Sequence, residues 1–181
     1  MSGAFTRRID LAAHPTTQSP AISSLVVQVS APGDVLDLRY VLHANLARLR
    51  VPDTAPEGRT DGLWRHTCFE AFIAPGGPGY LELNFSPGRQ WAAYRFEGYR
   101  QGMKPLELAV PPEISVRRDA RQLEVHAAVH LPAGWAAGTA RPKLALSAVV
   151  EEDSGRLCYW AARHAAGPAD FHHSDGFVIE L

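Results

Sequence analysis

Apolar residues recur at every second position in short segments closed off by Pro and Gly, the pattern of strands that bury one face and expose the other. The segments run Leu25 to Val29, Val35 to Leu42, Thr67 to Ile73, Tyr80 to Phe85, Gln90 to Phe96, Ile114 to Arg117, Leu123 to Leu131, Leu144 to Val150, Leu157 to Trp160 and Phe177 to Leu181. Only Ala44 to Leu49 invites a helical turn. A run of short strands of this kind predicts an all-β fold, a two-sheet antiparallel β-sandwich of jelly-roll type with very little helix. Residues 1–20 are expected to form an irregular or extended N-terminal segment. With no internal repeat and no linker-like tract, residues 1–181 read as a single domain.

A chain of 181 residues that is 46% hydrophobic can fill a core without a disulfide framework or structural metal. Eighteen basic residues against nineteen acidic ones, with no long run of either sign, exclude a dedicated nucleic-acid binder. Arg7 and Arg8 are not followed by a signal-like apolar stretch, and no run nears the roughly 20 apolar residues of a membrane span. The expectation is a cytoplasmic protein without a membrane partner. Cys68 and Cys158 are accordingly expected as reduced thiols. A homo-oligomer built through an exposed sheet is compatible with the pattern.

The region from Leu63 to Arg100 permits an argument about register. Pairing the apolar alternations places Ile73 opposite Leu81, Ala71 opposite Leu83 and Phe69 opposite Phe85. The other face then holds Glu70 across from Asn84 and Phe72 across from Glu82, with Cys68 and Tyr80 beside them. A short turn at Ser86-Pro87-Gly88-Arg89 would pair Phe85 with Gln90, Leu83 with Ala92 and Leu81 with Tyr94. That register puts Trp91 and Arg95 on the same polar face.

A Trp beside Glu, Asn and Arg suits a sugar, whose C–H face packs on indole while its hydroxyls meet oriented polar groups. The competing reading covers this face with another segment, Arg95 neutralising Glu82 and Trp91 filling space. Glu70 and Glu82, diagonal neighbours roughly 7–8 Å apart at the backbone, also raise two-carboxylate glycoside hydrolysis. That reading is expected to fail, since a sheet face offers no deep cleft and Arg95 would hold both groups ionised. No metal site is expected: His126 and His130 would stand about 13 Å apart along a strand, and His172 and His173 lack a third ligand. Neither a nucleophile elbow nor a phosphate or dinucleotide loop is present.

The stretches Leu63-Trp64-Arg65-His66-Thr67-Cys68-Phe69-Glu70-Ala71-Phe72-Ile73, Tyr80-Leu81-Glu82-Leu83-Asn84-Phe85-Ser86-Pro87 and Trp91-Ala92-Ala93-Tyr94-Arg95-Phe96 resemble the DOMON-like domains related to family 9 carbohydrate-binding modules. Tyr159-Trp160-Ala161, Pro168-Ala169-Asp170-Phe171-His172 and Phe177-Val178-Ile179-Glu180-Leu181 are similar to the closing strands of that group. The resemblance implies a non-catalytic β-sandwich binding module for a saccharide or similar small polar ligand. Trp64, Trp91 and Trp160 are then the counterparts of the Trp rings that hold a terminal sugar. Haem-binding relatives use Met and His as axial ligands, for which the resemblance implies Met103 and His164 as the alternative. No other cofactor is expected. The candidate ligand-binding set is therefore Trp64, Glu70, Glu82, Asn84, Trp91 and Arg95.

Overall fold

The computed structural model describes residues 6–133 and 141–181. Its strands are Thr6–Ala13 (β1), Ile22–Ser30 (β2), Val35–Ala44 (β3), Gly58–Arg59 (β4), Cys68–Ala74 (β5), Tyr80–Phe85 (β6) and Gln90–Phe96 (β7). They continue with Lys104–Pro105 (β8), Glu113–Arg118 (β9), Gln122–His130 (β10), Lys143–Glu151 (β11), Leu157–Ala161 (β12) and Ile179–Glu180 (β13). Among the described residues, helix is confined to the 3-10 turns Leu46–Arg48, Leu63–Arg65 and Ser174–Gly176. The first of these lies inside the stretch where the sequence invites a helical turn.

The expectation of two separate antiparallel sheets is corrected by the topology. The strands form one curled, mixed sheet in the order β4-β7-β6-β5-β11-β12-β1-β2-β3-β10-β9, with β13 on β11 and β8 on β7. The β4–β7 pairing is parallel. Continuity comes from β1, which lies within the segment expected to be irregular or extended. Its residues Thr6 to Leu11 pair with β2, whereas Ala12 and Ala13 pair with Ala161 and Trp160 of β12. A strand that changes partners along its length makes a corner between two sheet halves instead of leaving them separate.

The halves pack face to face. Leu36, Leu38, Tyr40 and Leu42 of β3 and Val125, Ala127 and Val129 of β10 share one core with Phe69, Ala71 and Ile73 of β5 and Leu83 and Phe85 of β6. Complete burial of a large apolar side chain contributes about 1.5–3 kcal/mol. Tyr40 spans the core, its ring 5.1 Å from that of Phe69 and its hydroxyl donating to the Glu70 carbonyl oxygen at 2.7 Å. The buried phenol is thereby satisfied.

A second cluster occupies the opposite face of the β5–β6–β7–β11 half, built from Leu63, Cys68, Phe72, Tyr80, Ala92, Tyr94, Phe96 and Ala145. The β5–β6 register is the one derived from the alternation, with Ile73 opposite Leu81 and Glu70 opposite Asn84. The β6–β7 register is not. Phe85 pairs with Trp91, Leu83 with Ala93 and Leu81 with Arg95. Ser86 donates its N–H to the Gln90 carbonyl at 2.9 Å, leaving a loop of Pro87, Gly88 and Arg89. Arg89 sits in the left-handed region at φ 67°, the geometry of a tight turn followed by a bulge residue. Shortening the loop by one residue reverses the facing of every β7 side chain.

Candidate ligand cavity

That reversal decides what the polar face contains. Trp91 packs against the main core with Arg59 over its ring, and Arg95 is exposed on the same face as Leu81. Trp91 and Arg95 therefore leave the face where the sequence argument put them. Ala92, Tyr94 and Phe96 take their place beside Glu82 and Asn84.

Over this face lies a cavity of about 410 Å³. Glu70 and Glu82 stand side by side at its floor, from adjacent strands. Trp64, Phe96, Tyr159 and Phe171 supply aromatic walls, and Arg100, Met103 and His172 come from the covering segments. Trp64 is carried by the 3-10 turn Leu63–Arg65, which follows Gly62 at φ 81°, and its ring meets Tyr94 edge-on at 5.8 Å. Tyr94 is held in turn by donating its hydroxyl to Asp61 at 2.6 Å.

Below the floor runs a row of polar side chains across neighbouring strands. Ser147 of β11 pairs with Glu70 of β5, which pairs with Asn84 of β6. The Asn84 amide donates to Glu82 Oε1 at 2.9 Å. Ser147 Oγ, Glu70 Oε1 and Asn84 Oδ1 are buried without a partner. Small neighbours, Ala161 beside Ser147 and Ala92 beside Asn84, end the row.

The electrostatics overturn the expectation that Arg95 holds both acids ionised. Burial pushes the Glu70 carboxyl well above the ordinary Glu range, and the nearby Glu82 charge pushes it further. Burial raises Glu82 as well, opposed by its hydrogen bond from Asn84 and by Arg100. The pair retains a proton in conditions where free carboxylates have lost theirs.

His172 is enclosed by aromatic rings, with centroids 5.1 Å from Phe72 and 5.1 Å from Phe96. Burial and then Arg100 lower its pKa to about 4, so the imidazole is neutral near pH 7. Its Nδ1 lies 2.8 Å from the Tyr80 hydroxyl, which also accepts the Arg100 backbone N–H at 3.2 Å. Whichever tautomer the neutral ring adopts, one hydrogen bond joins Nδ1 to the phenol. Nε2 is 3.9 Å from Glu82 Oε2, too long for a hydrogen bond, and with a neutral ring it is no ion pair.

Asp170 organises the covering loop. It accepts from Arg100 at 2.7 Å, from the Tyr99 hydroxyl and from the His172 backbone N–H at 3.0 Å. Burial favours its protonated form, yet these donors hold it below the usual carboxylate range.

Of the sequence-derived set, the structure brings Trp64, Glu70 and Glu82 together, with Asn84 supporting Glu82 from beneath. Trp160 joins Trp91 in the main core, so no Trp pair forms across the cavity. Met103 lines the cavity, whereas His164 bonds the Ala12 carbonyl at 2.9 Å and packs on His14 at 4.9 Å. The Met103/His164 axial pair is not assembled. Arg100, Phe171 and His172 carry no spacing signal, since they reach the cavity through irregular loops. Phe96 and Tyr94 were visible in the alternation and needed only the correct turn. Cys68 and Cys158 are free and buried. Among the described residues no cluster of three metal-ligating side chains occurs, and no helix is long and apolar enough to cross a membrane.

No protein-family model matches the chain, and no curated protein matches it. Solved structures share its fold. A putative carbohydrate-binding protein from Bacteroides uniformis ATCC 8492 superposes with a TM-score of 0.61 at 12% identity, over 97% of this chain and 84% of that one. A carbohydrate-binding module of family 9 from Caldicellulosiruptor kristjanssonii, in complex with cellotriose, gives 0.52 at 8% identity, over 88% of this chain and 75% of that one. The family 9 module of that organism in complex with glucose gives 0.50 at 10% identity, over 87% and 72%.

Proposed function

We propose that this chain is a non-catalytic binding module that holds a saccharide or a similar small polar ligand in the cavity over β5 and β6. The observation that carries the reading is the pair Glu70 and Glu82 on the cavity floor beneath Trp64, Phe96, Tyr159 and Phe171. Aromatic walls take the C–H faces of a sugar ring while a few fixed polar groups set its orientation. An unpaired buried polar atom costs roughly 1–3 kcal/mol, and hydroxyls entering the cavity offer the floor the partners it lacks. The shared fold with proteins solved with cellotriose and glucose adds support at the level of architecture.

Hydrolysis is the weaker reading. Glycosidase carboxyl groups flank the scissile bond, whereas Glu70 and Glu82 project side by side from one sheet face. Haem is disfavoured by the position of His164, and a colourless preparation without a Soret band is expected. Titration calorimetry with glucose and cellotriose tests the proposal. Saturable binding without turnover of chromogenic glycosides is expected. Absence of binding at millimolar sugar, or turnover abolished by both Glu70→Gln and Glu82→Gln with the fold intact, would overturn it.

A further inference from the structure

The described residues include four buried glutamates, Glu70, Glu82, Glu124 and Glu151. Two bring their own cations: Glu124 receives Arg39 at 2.7 Å, and Glu151 receives Arg50 at 3.0 Å, with the His66 ring a hydrogen-bond partner at 2.7 Å. The two in the cavity do not. Glu82 has the Asn84 amide and a neutral His172 at 3.9 Å, and Glu70 Oε1 has no partner. Burying an acid without a compensating cation is costly, so outside the cavity this fold pairs each one.

We propose that the ligand supplies the missing cation, and that the cavity selects an amino sugar whose ammonium group lies against Glu70 and Glu82 while its ring meets the aromatic walls. This rests on reading the cavity as a saccharide site and names the class of saccharide. Aromatic faces add to the attraction, since the negative face of an aromatic ring favours a cation above it. Arg100 lines the same cavity and lowers the Glu82 pKa, but its ion pair is with Asp170 at 2.7 Å and, among the described residues, it forms none with either floor acid.

The groups facing the acid pair from packed elements are Cys68 on β5, Tyr80 on β6 and Tyr94 on β7, with Tyr40 from the opposite half. All four are neutral near pH 7, their pKa values raised chiefly by burial. β12 adds Tyr159, and two separate covering loops bring Arg100 and the pair Asp170 and His172, the last neutral. An entering ammonium would therefore meet a pair that still holds a proton and would drive it out to solvent. The balance is one cation bound for up to one proton released, with no covalent change.

Calorimetry on the full chain with D-glucosamine, D-glucose and N-acetyl-D-glucosamine near pH 6 tests this, the first being the amine-bearing probe. Glucosamine is expected to bind at least about tenfold more tightly than either neutral sugar, the factor one charge-assisted hydrogen bond provides. Its binding heat should differ between phosphate and Bis-Tris, both of which buffer near pH 6, in the sense of proton release, and its affinity should rise from pH 5 to pH 7. Glu70→Gln and Glu82→Gln should each shrink the glucosamine-to-glucose ratio, with circular dichroism confirming the fold. Equal affinities, no proton release, or a ratio unchanged in both variants would overturn the inference while glucose binding upheld the saccharide reading. No binding of any of the three would overturn both.

Discussion

The backbone N–H of Ser86 meets the carbonyl oxygen of Gln90 at 2.9 Å, and that bond decides which face of β7 looks into the cavity. It closes a turn whose last residue, Arg89, adopts φ 67°. A left-handed non-glycine residue costs about 1–2 kcal/mol. Arg89→Gly should therefore stabilise the protein by up to about 1 kcal/mol, and Arg89→Val should destabilise it by a similar amount or more. Denaturant midpoints at constant m-value measure both; a stabilising Val variant would contradict the turn geometry.

Tyr40→Phe removes the donor to the Glu70 carbonyl across the core. Losing this buried hydrogen bond should cost about 0.5–1.5 kcal/mol. Urea unfolding would show this as a lower midpoint, and an unchanged midpoint would contradict the satisfied phenol.

Trp64 presents an aromatic wall of the cavity and is braced by Tyr94. Trp64→Ala should weaken sugar binding by about tenfold, the loss expected of one stacking partner. Trp91→Ala, acting from the opposite face, should lower stability and leave the affinity within about twofold. Calorimetry on both variants separates the two faces, and equal losses of affinity would contradict the observed register.

The acid pair and His172 give opposite pH signatures. Glu70 and Glu82 titrate above their unfolded values, so stability they contribute at low pH is lost as pH rises from the ordinary Glu range through their raised values. His172, lowered from 6.5 to about 4, contributes stability above pH 6.5 that is lost as pH falls toward 4. Thermal melts of Glu70→Gln should lose part of the decline with rising pH, and those of His172→Gln should lose part of the decline below pH 6.5. A melting profile unchanged in either variant would contradict the corresponding assignment.

Most of the architecture was legible because burial writes itself as alternation. Phe69, Ala71, Ile73, Leu81, Leu83 and Phe85 allow one pairing that keeps them all inside, and the structure adopts it. β7 defeats that logic: Gln90 to Phe96 has aromatics on both faces, since both are covered, so alternation could not choose between registers. β1 is invisible for the converse reason. In Thr6–Ala13 only Leu11 is buried, with Ile9 and Ala13 half-buried against the core, an alternation too short and too flanked by Arg7, Arg8 and Asp10 to stand out, and backbone pairing on both sides holds the strand. The floor of the cavity lies on strands and could be argued in advance. Its roof, with Arg100, Phe171 and His172, lies on loops and could not.

The seam made by β1 also sets a timetable for assembly. Ala12 pairs with Ala161, a partner 149 positions further along the chain. On a ribosome the seam must wait until Ala161 has been made, while β1 with β2 and β3 can already form a hairpin sheet. Until then the free flank of β1 is an open edge able to recruit another chain. Proximity so long in sequence slows closure, and it makes the joining of β1 to β12 a natural late step on the path to the finished fold.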